Sequence, residues 1–355
     1  MRQISVIGLD LAKNVFQIHA IDKQGKLVSN RQLKRSEMIG YFSNLPSCLI
    51  GMEACGGAHY WQRKLSEFGH VVKIMAASFV KPYVKSNKND HNDAEAICEA
   101  VQRPSMRFVS PKTPDQQSVL HLHRGRQLLV QQRVALVNHI RSILLEYGIA
   151  IAVGDKALQR EFPWILEDAE NELPMLTRQM LSELWEEQKQ LRERALQLKS
   201  QLQGWHKQNQ SSQNLETIPG VGLLTATALA ATVKDCRDFK NGRQLAAYLG
   251  LVPRQSSSGG KQVLLGISKR GDGYLRTLLI HGARTVIRHV RRRLSAGQAG
   301  GNLWVEKLLK RCHPNEVAVA LANKMARIAW AMLSRNETYR ISLASVRAQV
   351  DVSDR

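Results

Sequence analysis

Short apolar runs divided by turns make up the first hundred or so residues. Apolar runs at 4–9 and 15–21, followed by a turn at 22–25 and a third run at 26–28, predict a three-stranded meander. Beyond the meander, the pattern predicts helices at 36–45 and 58–68 and buried strands at 48–52 and 70–75. The first part of the chain is therefore expected to be α/β.

The order of these elements narrows the fold. Three antiparallel strands followed by alternating helix and strand is the order of the ribonuclease H-like fold. We assign this α/β domain to residues 1–110 and expect the remainder to be mainly helical. The helical part is divided into a connection at 111–212 and a C-terminal domain at 213–336, and a short tail at 337–355 follows.

Two long helices are predicted in the connection. A capping box, Thr113-Pro114-Asp115-Gln116, opens the first, which runs towards residue 147. The second, at 173–205, carries two rows at seven-residue spacing: Leu184, Leu191, Leu198 and Trp205 in one, and Leu181, Gln188, Ala195 and Leu202 in the other. The rows predict a coiled-coil seam with one polar position. This seam fits a hairpin with the preceding helix, and it fits a dimer interface at least as well.

The first long helix also carries polar residues whose role the pattern leaves open. Four arginines suit either a phosphate backbone or a solvated face: Arg124, Arg126, Arg133 and Arg141. His121 and His123 are two positions apart, so their side chains diverge, and we assign them to the surface and not to a metal site.

Composition adds the class of partner. The 355 residues carry a formal net charge of +21, which indicates a polyanion such as nucleic acid. Five scattered cysteines, never spaced as Cys-x-x-Cys, indicate reduced thiols. No apolar run approaches the roughly 18 to 20 residues that span a bilayer. We therefore expect a cytoplasmic protein with no membrane partner.

Carboxylates stand where predicted strands end and a helix begins. Asp10 and Glu53 close two strands, and Asp90 and Asp93 share one face of a helix start. If the two strands are neighbours, the four side chains converge and repel one another unless cations lie between them. Two Mg²⁺ ions about 4 Å apart would serve phosphodiester chemistry there. Taken singly, each residue is also typical of a turn, a surface carboxylate or an N-cap.

The C-terminal half offers two glycine-rich motifs. Ile218-Pro219-Gly220-Val221-Gly222 is typical of a helix-hairpin-helix turn, in which Gly220 and Gly222 free backbone amides for a phosphate, or of a purely structural tight turn. The second motif, at 256–261, is a serine beside glycines and near cations: Arg254, Lys261, Lys269, Arg270 and Arg276. Composition alone favours a flexible linker there over a serine nucleophile. Further on, a basic helical stretch is suited to backbone contacts with DNA or RNA.

Both halves together resemble one family. The motifs that carry the resemblance are Gly-Leu-Asp-Leu-Ala-Lys at Asp10, Met-Glu-Ala-Cys-Gly at Glu53, Asn-Asp-His-Asn-Asp-Ala at Asp90 and Asp93, Ile-Pro-Gly-Val-Gly, Leu-Gly-Leu-Val-Pro-Arg, Ser-Gly-Gly-Lys and Ile-Ser-Lys-Arg-Gly-Asp. In this order they are similar to the DEDD-type insertion-sequence transposases, which include Piv-type DNA invertases and bridge-RNA-guided recombinases. The match covers nearly everything except the last twenty residues.

The resemblance implies a RuvC-like domain, a coiled-coil connection and a C-terminal transposase domain whose serine attacks DNA. Ser258 matches the nucleophile, which would form a 5′-phosphoserine link, although Ser256 and Ser257 stay open. The metal-binding set is matched by Asp10, Glu53, Asp90 and Asp93, for Mg²⁺ with Mn²⁺ as a substitute. Implied partners are donor and target DNA, a structured guide (bridge) RNA, and further copies in a dimer or tetramer at the bacterial nucleoid.

Two other functions remain open at this stage. A junction-resolving endonuclease would use the carboxylates and metal with water as nucleophile, and its serine loop would be structural. A nucleic-acid-binding scaffold without catalysis would use the carboxylates as turns and caps only.

Overall fold

The computed structural model describes residues 3–85, 89–233 and 236–339. The chain divides into two compact units, Met1–Pro114 and Asp115–Arg355. The first boundary lies four residues from the predicted end of the α/β domain, at 110. The predicted divisions at 212 and 336 remain predictions, and most of the predicted tail lies outside the described residues.

A six-stranded mixed sheet forms the first unit. In chain order its strands are β1 Val6–Asp10, β2 Val15–Ile21, β3 Leu27–Lys34, β4 Leu49–Glu53, β5 Val71–Met75 and β6 Phe108–Val109. Across the sheet the order is β3-β2-β1-β4-β5-β6, with β4 parallel to β1 and β5, and the other pairs antiparallel. The predicted meander and the α/β class are confirmed, and the sheet is consistent with a RuvC-like domain.

In the described part of this unit, α-helices cover the two faces of the sheet: α1 Met38–Ser43, α2 Ala58–Glu67, α3 Ala77–Val80 and α4 Asp90–Val101. Side chains alternate between the faces along β1, as the period of a strand requires. Ile7 and Leu9 belong to one apolar core with Trp61 of α2, whereas Val6 belongs to another with Ile97 of α4. Both faces of β1 are thus buried, which explains its continuous apolar run.

The second unit is mainly helical. Its helices are α5 Pro114–Glu146, α6 Asp155–Glu167, α7 Met175–Lys207, α8 Gln210–Glu216, α9 Leu223–Thr232, α10 Gly242–Tyr248, α11 Gly273–Ser295, α12 Leu303–Leu309 and α13 Pro314–Arg335. A two-stranded antiparallel hairpin, β7 Pro253–Gln255 and β8 Leu264–Ile267, lies between α10 and α11. Among the described residues, no helix combines the length and apolarity needed to cross a bilayer.

The two 33-residue helices α5 and α7 pack on each other within the chain. Three apolar clusters join them at points that run in opposite directions along the two helices, pairing Val119 with Leu202, Leu129 with Leu191 and Ala195, and Ile140 with Leu181. The predicted seam of α7 is therefore covered by α5, which favours the intramolecular alternative over a dimer through these residues. Coiled-coil geometry itself stays a prediction.

Two arginines of α5 have a structural role that neither sequence interpretation considered. Arg133 donates to Gln188, the polar position of the seam, and pairs with Asp155 of α6. Arg141 donates to the carbonyls of Ile151 and Gly154 in the loop before α6. Both therefore fix α6 and its loop against the hairpin. Arg124 is exposed, and a phosphate role stays open for it.

His123 is buried, so the surface prediction was wrong for it, although His121 is exposed. Thr227 donates its hydroxyl to the Leu223 carbonyl at 2.7 Å and therefore accepts from His123 Nε2 at 3.0 Å. The other ring nitrogen, Nδ1, then accepts from the Tyr274 hydroxyl at 2.9 Å. One neutral imidazole thus links α5 to α9 and α11.

We expect this imidazole to make the fold acid-sensitive. Burial, with a smaller contribution from the nearby Arg126, lowers the pKa of His123 to about 4. Because the unfolded chain takes up this proton near pH 6.5 and the folded chain does not, stability falls as the pH drops from about 6.5 towards 4. Between pH 7.5 and pH 5 the loss is about 2 kcal/mol. Urea denaturation at both pH values measures it.

The matched variant is His123→Gln, which keeps a donor and an acceptor but does not titrate. Between pH 7.5 and pH 5 the variant should lose about 2 kcal/mol less unfolding free energy than the unmodified protein does. Equal pH dependence in both proteins would show that His123 is not the responsible group.

Candidate active site

The strand register brings two of the predicted carboxylates to one edge of the sheet. β1 and β4 are parallel neighbours, and Leu9 pairs with Met52. The next residues are Asp10 and Glu53, each the last residue of its strand. Parallel strands end at the same edge of a sheet, so the two side chains emerge side by side. Both are partly buried.

Two glycines bring the other two carboxylates to this edge. A Cβ on Gly8 would collide with the backbone of α4 at Ala94 and Cys98, and one on Gly51 would lie 2.7 Å from Val101 Cβ. Without side chains at these positions, α4 lies directly on the strands. Its first turn carries Asp90 and Asp93, and Asn89 caps it by accepting from the Asn92 amide at 2.7 Å.

Mutual repulsion marks the four carboxylates as one cluster. Partial burial, followed by the charges of Asp93, Asp90 and Glu53, raises the pKa of Asp10 to about 6. The four side chains line one cleft of about 700 Å³, and the Lys81 side chain lines it as well. The structure therefore brings all four predicted carboxylates together, as the sequence led us to expect.

The chemistry of this donor set fits a hard divalent cation. Carboxylate oxygens are the ligands that Mg²⁺ prefers, and a cation would relieve the repulsion among the carboxylates, which together with burial raises the Asp10 pKa. Within the described residues, however, no three His, Cys, Asp or Glu side chains are already arranged to ligate one ion. Side-chain rotation would have to complete the coordination. The residues that would hold the cation are Asp10, Glu53, Asp90 and Asp93.

Gly8→Ala should separate the two halves of the carboxylate cluster. The new methyl group meets backbone atoms of α4, which can yield only by moving the helix away from β1. We expect a loss of about 1–3 kcal/mol in unfolding free energy, as for other overpacked cores. Chemical denaturation measures this loss.

Gly40→Ala in α1 is the control for this substitution. It adds the same methyl group where no atom beyond the adjoining backbone of the helix lies within 4 Å. Because alanine favours helix, this variant should be as stable as the unmodified protein or more stable. A Gly8→Ala protein of unchanged stability would contradict the close packing of α4 on β1.

The predicted serine lies at the turn of an exposed β-hairpin, so the linker expected from composition was wrong. Gly259 and Gly260 both have positive φ, 54° and 78°, as the central residues of a type I′ turn do. The Lys261 amide donates to the Ser258 carbonyl at 3.0 Å and closes the turn. A flexible tether would not pair its two strands in this way.

The three serines of this hairpin differ in their hydrogen bonds. Ser257 Oγ accepts from the Gln255 side chain at 2.9 Å and is 3.4 Å from the Val263 amide. The Ser256 amide donates to the Val263 carbonyl at 3.0 Å, so its backbone belongs to the ladder. Within the described parts of the chain, the exposed Ser258 hydroxyl makes no such bond.

The predicted cations near the serine divide into exposed and structural groups. Arg254, Lys261, Lys269 and Arg270 are exposed. Arg276 is half-buried and donates to the carbonyls of Leu249 and Arg270, at 3.1 and 3.0 Å. It thereby joins the two loops that flank the hairpin. A phosphate contact by Arg276 stays a prediction.

Glycine is required where these two loops meet. Gly250 and Gly271 have φ of 68° and 70°, and a Cβ on either would collide with the backbone of the opposite loop. This close approach explains why both motifs, Leu-Gly-Leu-Val-Pro-Arg and Lys-Arg-Gly-Asp, contain a glycine. The base of the serine hairpin is therefore held tightly.

The two glycines of the turn before α9 have different surroundings. A Cβ on Gly220 would lie 2.8 Å from the Gly282 carbonyl of α11, so this glycine serves backbone packing. Gly222 begins α9 as its N-cap residue and has open space around it. A helix-hairpin-helix motif and phosphate binding by these two residues remain predictions.

Comparisons with known proteins agree with the motifs. Residues 212–297 match the family described as "Transposase IS116/IS110/IS902 family", and residues 7–149 match the DEDD transposase family of IS110 type, described as "Transposase".

Relatives match over nearly the full length. The chain is similar to a "Probable family 20 transposase" of Pseudomonas aeruginosa, with 49% identity over 95% of this chain and 99% of the relative. It is 46% identical to the "Transposase for insertion sequence element IS1111A" of Coxiella burnetii, over 96% of this chain and 92% of the relative. A "Pilin gene-inverting protein" of Moraxella lacunata is 23% identical over 94% of this chain and 97% of the relative.

Proposed function

Because the chain belongs to the IS110 family of DEDD transposases, we propose that it cuts and rejoins DNA strands through a serine-linked intermediate, with divalent metal at its carboxylate cluster. The observation that carries the proposal is the convergence of four carboxylates in one cleft. Bringing these carboxylates together has an electrostatic cost, because partial burial and then the charges of the other three raise the pKa of Asp10.

The chain's own residues would divide the chemistry between two sites. Ser258 Oγ attacks the scissile phosphorus and loses its proton, while the bond to the 3′ oxygen breaks, so that a 3′-hydroxyl and a 5′-phosphoserine result. In rejoining, a 3′-hydroxyl of another strand attacks that phosphorus, and Ser258 regains its proton. The phosphodiester energy is retained in the ester, so no external energy source is needed.

Two kinds of positive charge would offset the charge on the phosphoryl group. Mg²⁺, or Mn²⁺ in its place, supplies a Lewis acid when bound by Asp10, Glu53, Asp90 and Asp93. The exposed Arg254 and Lys269 lie at the base of the serine hairpin, where a guanidinium or ammonium group can meet a phosphate oxygen. Lys269 has φ 54°, an unusual conformation for a residue with a side chain.

The proposal extends to the partners that the family resemblance implies. A structured guide RNA would pair with donor and target DNA and select the sites, and the basic surface would hold both nucleic acids. Copies of the chain would assemble as a dimer or tetramer. Because α5 covers the heptad seam of α7, this interface would use other surfaces.

Strand joining on supercoiled DNA tests the function. The substrate is a plasmid with the element's ends, incubated with protein, element-derived RNA and Mg²⁺. We expect joined products and a protein–DNA complex that resists detergent, both of which EDTA abolishes. Cleaved ends with free 5′-phosphates and no complex would instead favour a hydrolytic nuclease.

A further inference from the structure

Helix α11 has two faces of opposite character. Its buried face is apolar and consists of Leu275, Leu279, Ala283, Ile287 and Val290. Four exposed arginines follow helical spacing beside it: Arg284, Arg288, Arg291 and Arg292. We call these four residues the α11 arginine face. Because the buried face fixes α11 in the core of the second unit, the arginines stand on a rigid support.

The charges of this face are not neutralised by the protein. Within the part of the chain that the structure describes, none of the four guanidinium groups pairs with a carboxylate; one of them, that of Arg284, contacts the Asn315 side chain at 3.3 Å. Basic residues elsewhere do find acidic partners, such as Lys85 with Glu95 and Glu99. Like charges at i, i+4 destabilise a helix, and an external anion bound to this face would reduce that repulsion.

The shape of the surface indicates what kind of anion it fits. The face borders an open groove of about 450 Å³, whose other wall includes Pro314 and Asn315 at the N-terminal end of α13. The residues lining the groove include no aromatic ring on which a nucleobase could stack. Backbone phosphates fit such a surface better than unpaired bases do.

We propose that the α11 arginine face binds the phosphate backbone of duplex DNA. From Arg284 to Arg292 the helix rises roughly 12 Å, which equals the axial length of three to four base pairs of a duplex at a rise of about 3.4 Å each. The assignment to DNA rests on the proposed function, in which DNA is the substrate. Contacts of this kind hold a duplex in place without reading its sequence.

Salt-dependent binding tests the face directly. The full-length protein is titrated into a labelled 30-base-pair duplex of arbitrary sequence, with fluorescence anisotropy at several NaCl concentrations. The variant carries Arg288→Gln, Arg291→Gln and Arg292→Gln. The control removes three exposed charges from α7, with Arg192→Gln, Arg194→Gln and Lys199→Gln. Circular dichroism checks that both variants fold like the unmodified protein.

The α11 variant should bind on the order of 100-fold more weakly at 0.1 M salt, and its slope of log K against log salt should be smaller by about 2.7. The α7 control should lose less than about threefold. Equal losses in both variants, or none in the α11 variant, would overturn the proposal.

A competing RNA duplex of equal length distinguishes the two nucleic acids. If RNA displaces DNA from the unmodified protein at lower concentration, and the α11 variant loses RNA affinity more than DNA affinity, the assignment to DNA is wrong. Failure of the face would leave the serine-linked complex of the unmodified protein intact, so the two proposals fail separately. If the unmodified protein binds no duplex DNA in this assay, the proposal for the α11 arginine face is overturned, whereas the serine-linked complex is tested separately in the presence of element-derived RNA.

Discussion

Ser258→Ala should reduce the detergent-resistant protein–DNA complex to background. The hydroxyl that forms the ester is removed, and no other atom of the alanine can replace it. DNA affinity should stay within about twofold, because an exposed hydroxyl contributes little to backbone binding. Gel electrophoresis in detergent measures the complex, and anisotropy measures the affinity.

Neighbouring serines supply the controls for this prediction. Ser256→Ala and Ser257→Ala should retain the complex, although Ser257→Ala removes the hydroxyl that accepts from Gln255 and weakens the hairpin. If the complex persists in Ser258→Ala and disappears in one of the other two variants, the nucleophile is that other serine. If all three variants retain the complex, the serine mechanism is contradicted.

Asp10→Asn should lower metal-dependent strand cleavage by roughly three orders of magnitude, since metal catalysis supplies several kcal/mol and each 1.36 kcal/mol is tenfold in rate. Asp10 is the carboxylate that all three others repel. Glu67→Gln is the control, because this exposed residue pairs with Lys64 on the surface of the same unit. Its cleavage rate should be unchanged, and equal rates in both variants would contradict the metal role of Asp10.

Thermal unfolding gives the same substitution a readout that needs no DNA. The folded pKa of Asp10, about 6, lies above its ordinary value of 3.8, so the fold loses stability as the pH rises through this range. At pH 8 without metal, Asp10→Asn should therefore unfold at a higher temperature than the unmodified protein. Mg²⁺ should raise the unfolding temperature of the unmodified protein but not of the variant.

The first unit was largely predictable from sequence because its strands have strong local patterns. The apolar runs ending at Asp10 and Glu53 are buried on both faces, and both are interrupted by a glycine. What the pattern lacked was the reason for these glycines. Contact between Gly8 and α4 joins residues almost ninety positions apart, and no local periodicity encodes it.

The serine hairpin shows a different limit. A Gly-Gly pair between two short runs is a hairpin signal, but residues 253–266 are almost all exposed and lack the alternation of a half-buried strand. Composition therefore suggested a linker, and only the family resemblance indicated a functional loop. Two side-chain hydrogen bonds at its base come from Arg276, which the sequence suggested as a phosphate ligand.

Long-range polar contacts were the least predictable. His123 follows Val119 at helical spacing, and this could have indicated burial, but its partners Thr227 and Tyr274 are more than a hundred residues away. Arg133 likewise meets its partner on α7 only once the hairpin of long helices has formed. Charged and aromatic side chains of this kind acquire their roles from tertiary structure.

Mass spectrometry of the covalent complex tests the central claim most directly. The complex is formed with Mg²⁺, digested with nuclease and protease, and searched for a peptide that carries a nucleotide through its 5′-phosphate. The account predicts this modification on Ser258, with none formed by the Asp10→Asn protein. A nucleotide on another residue, or cleaved DNA with no modified peptide, would contradict it.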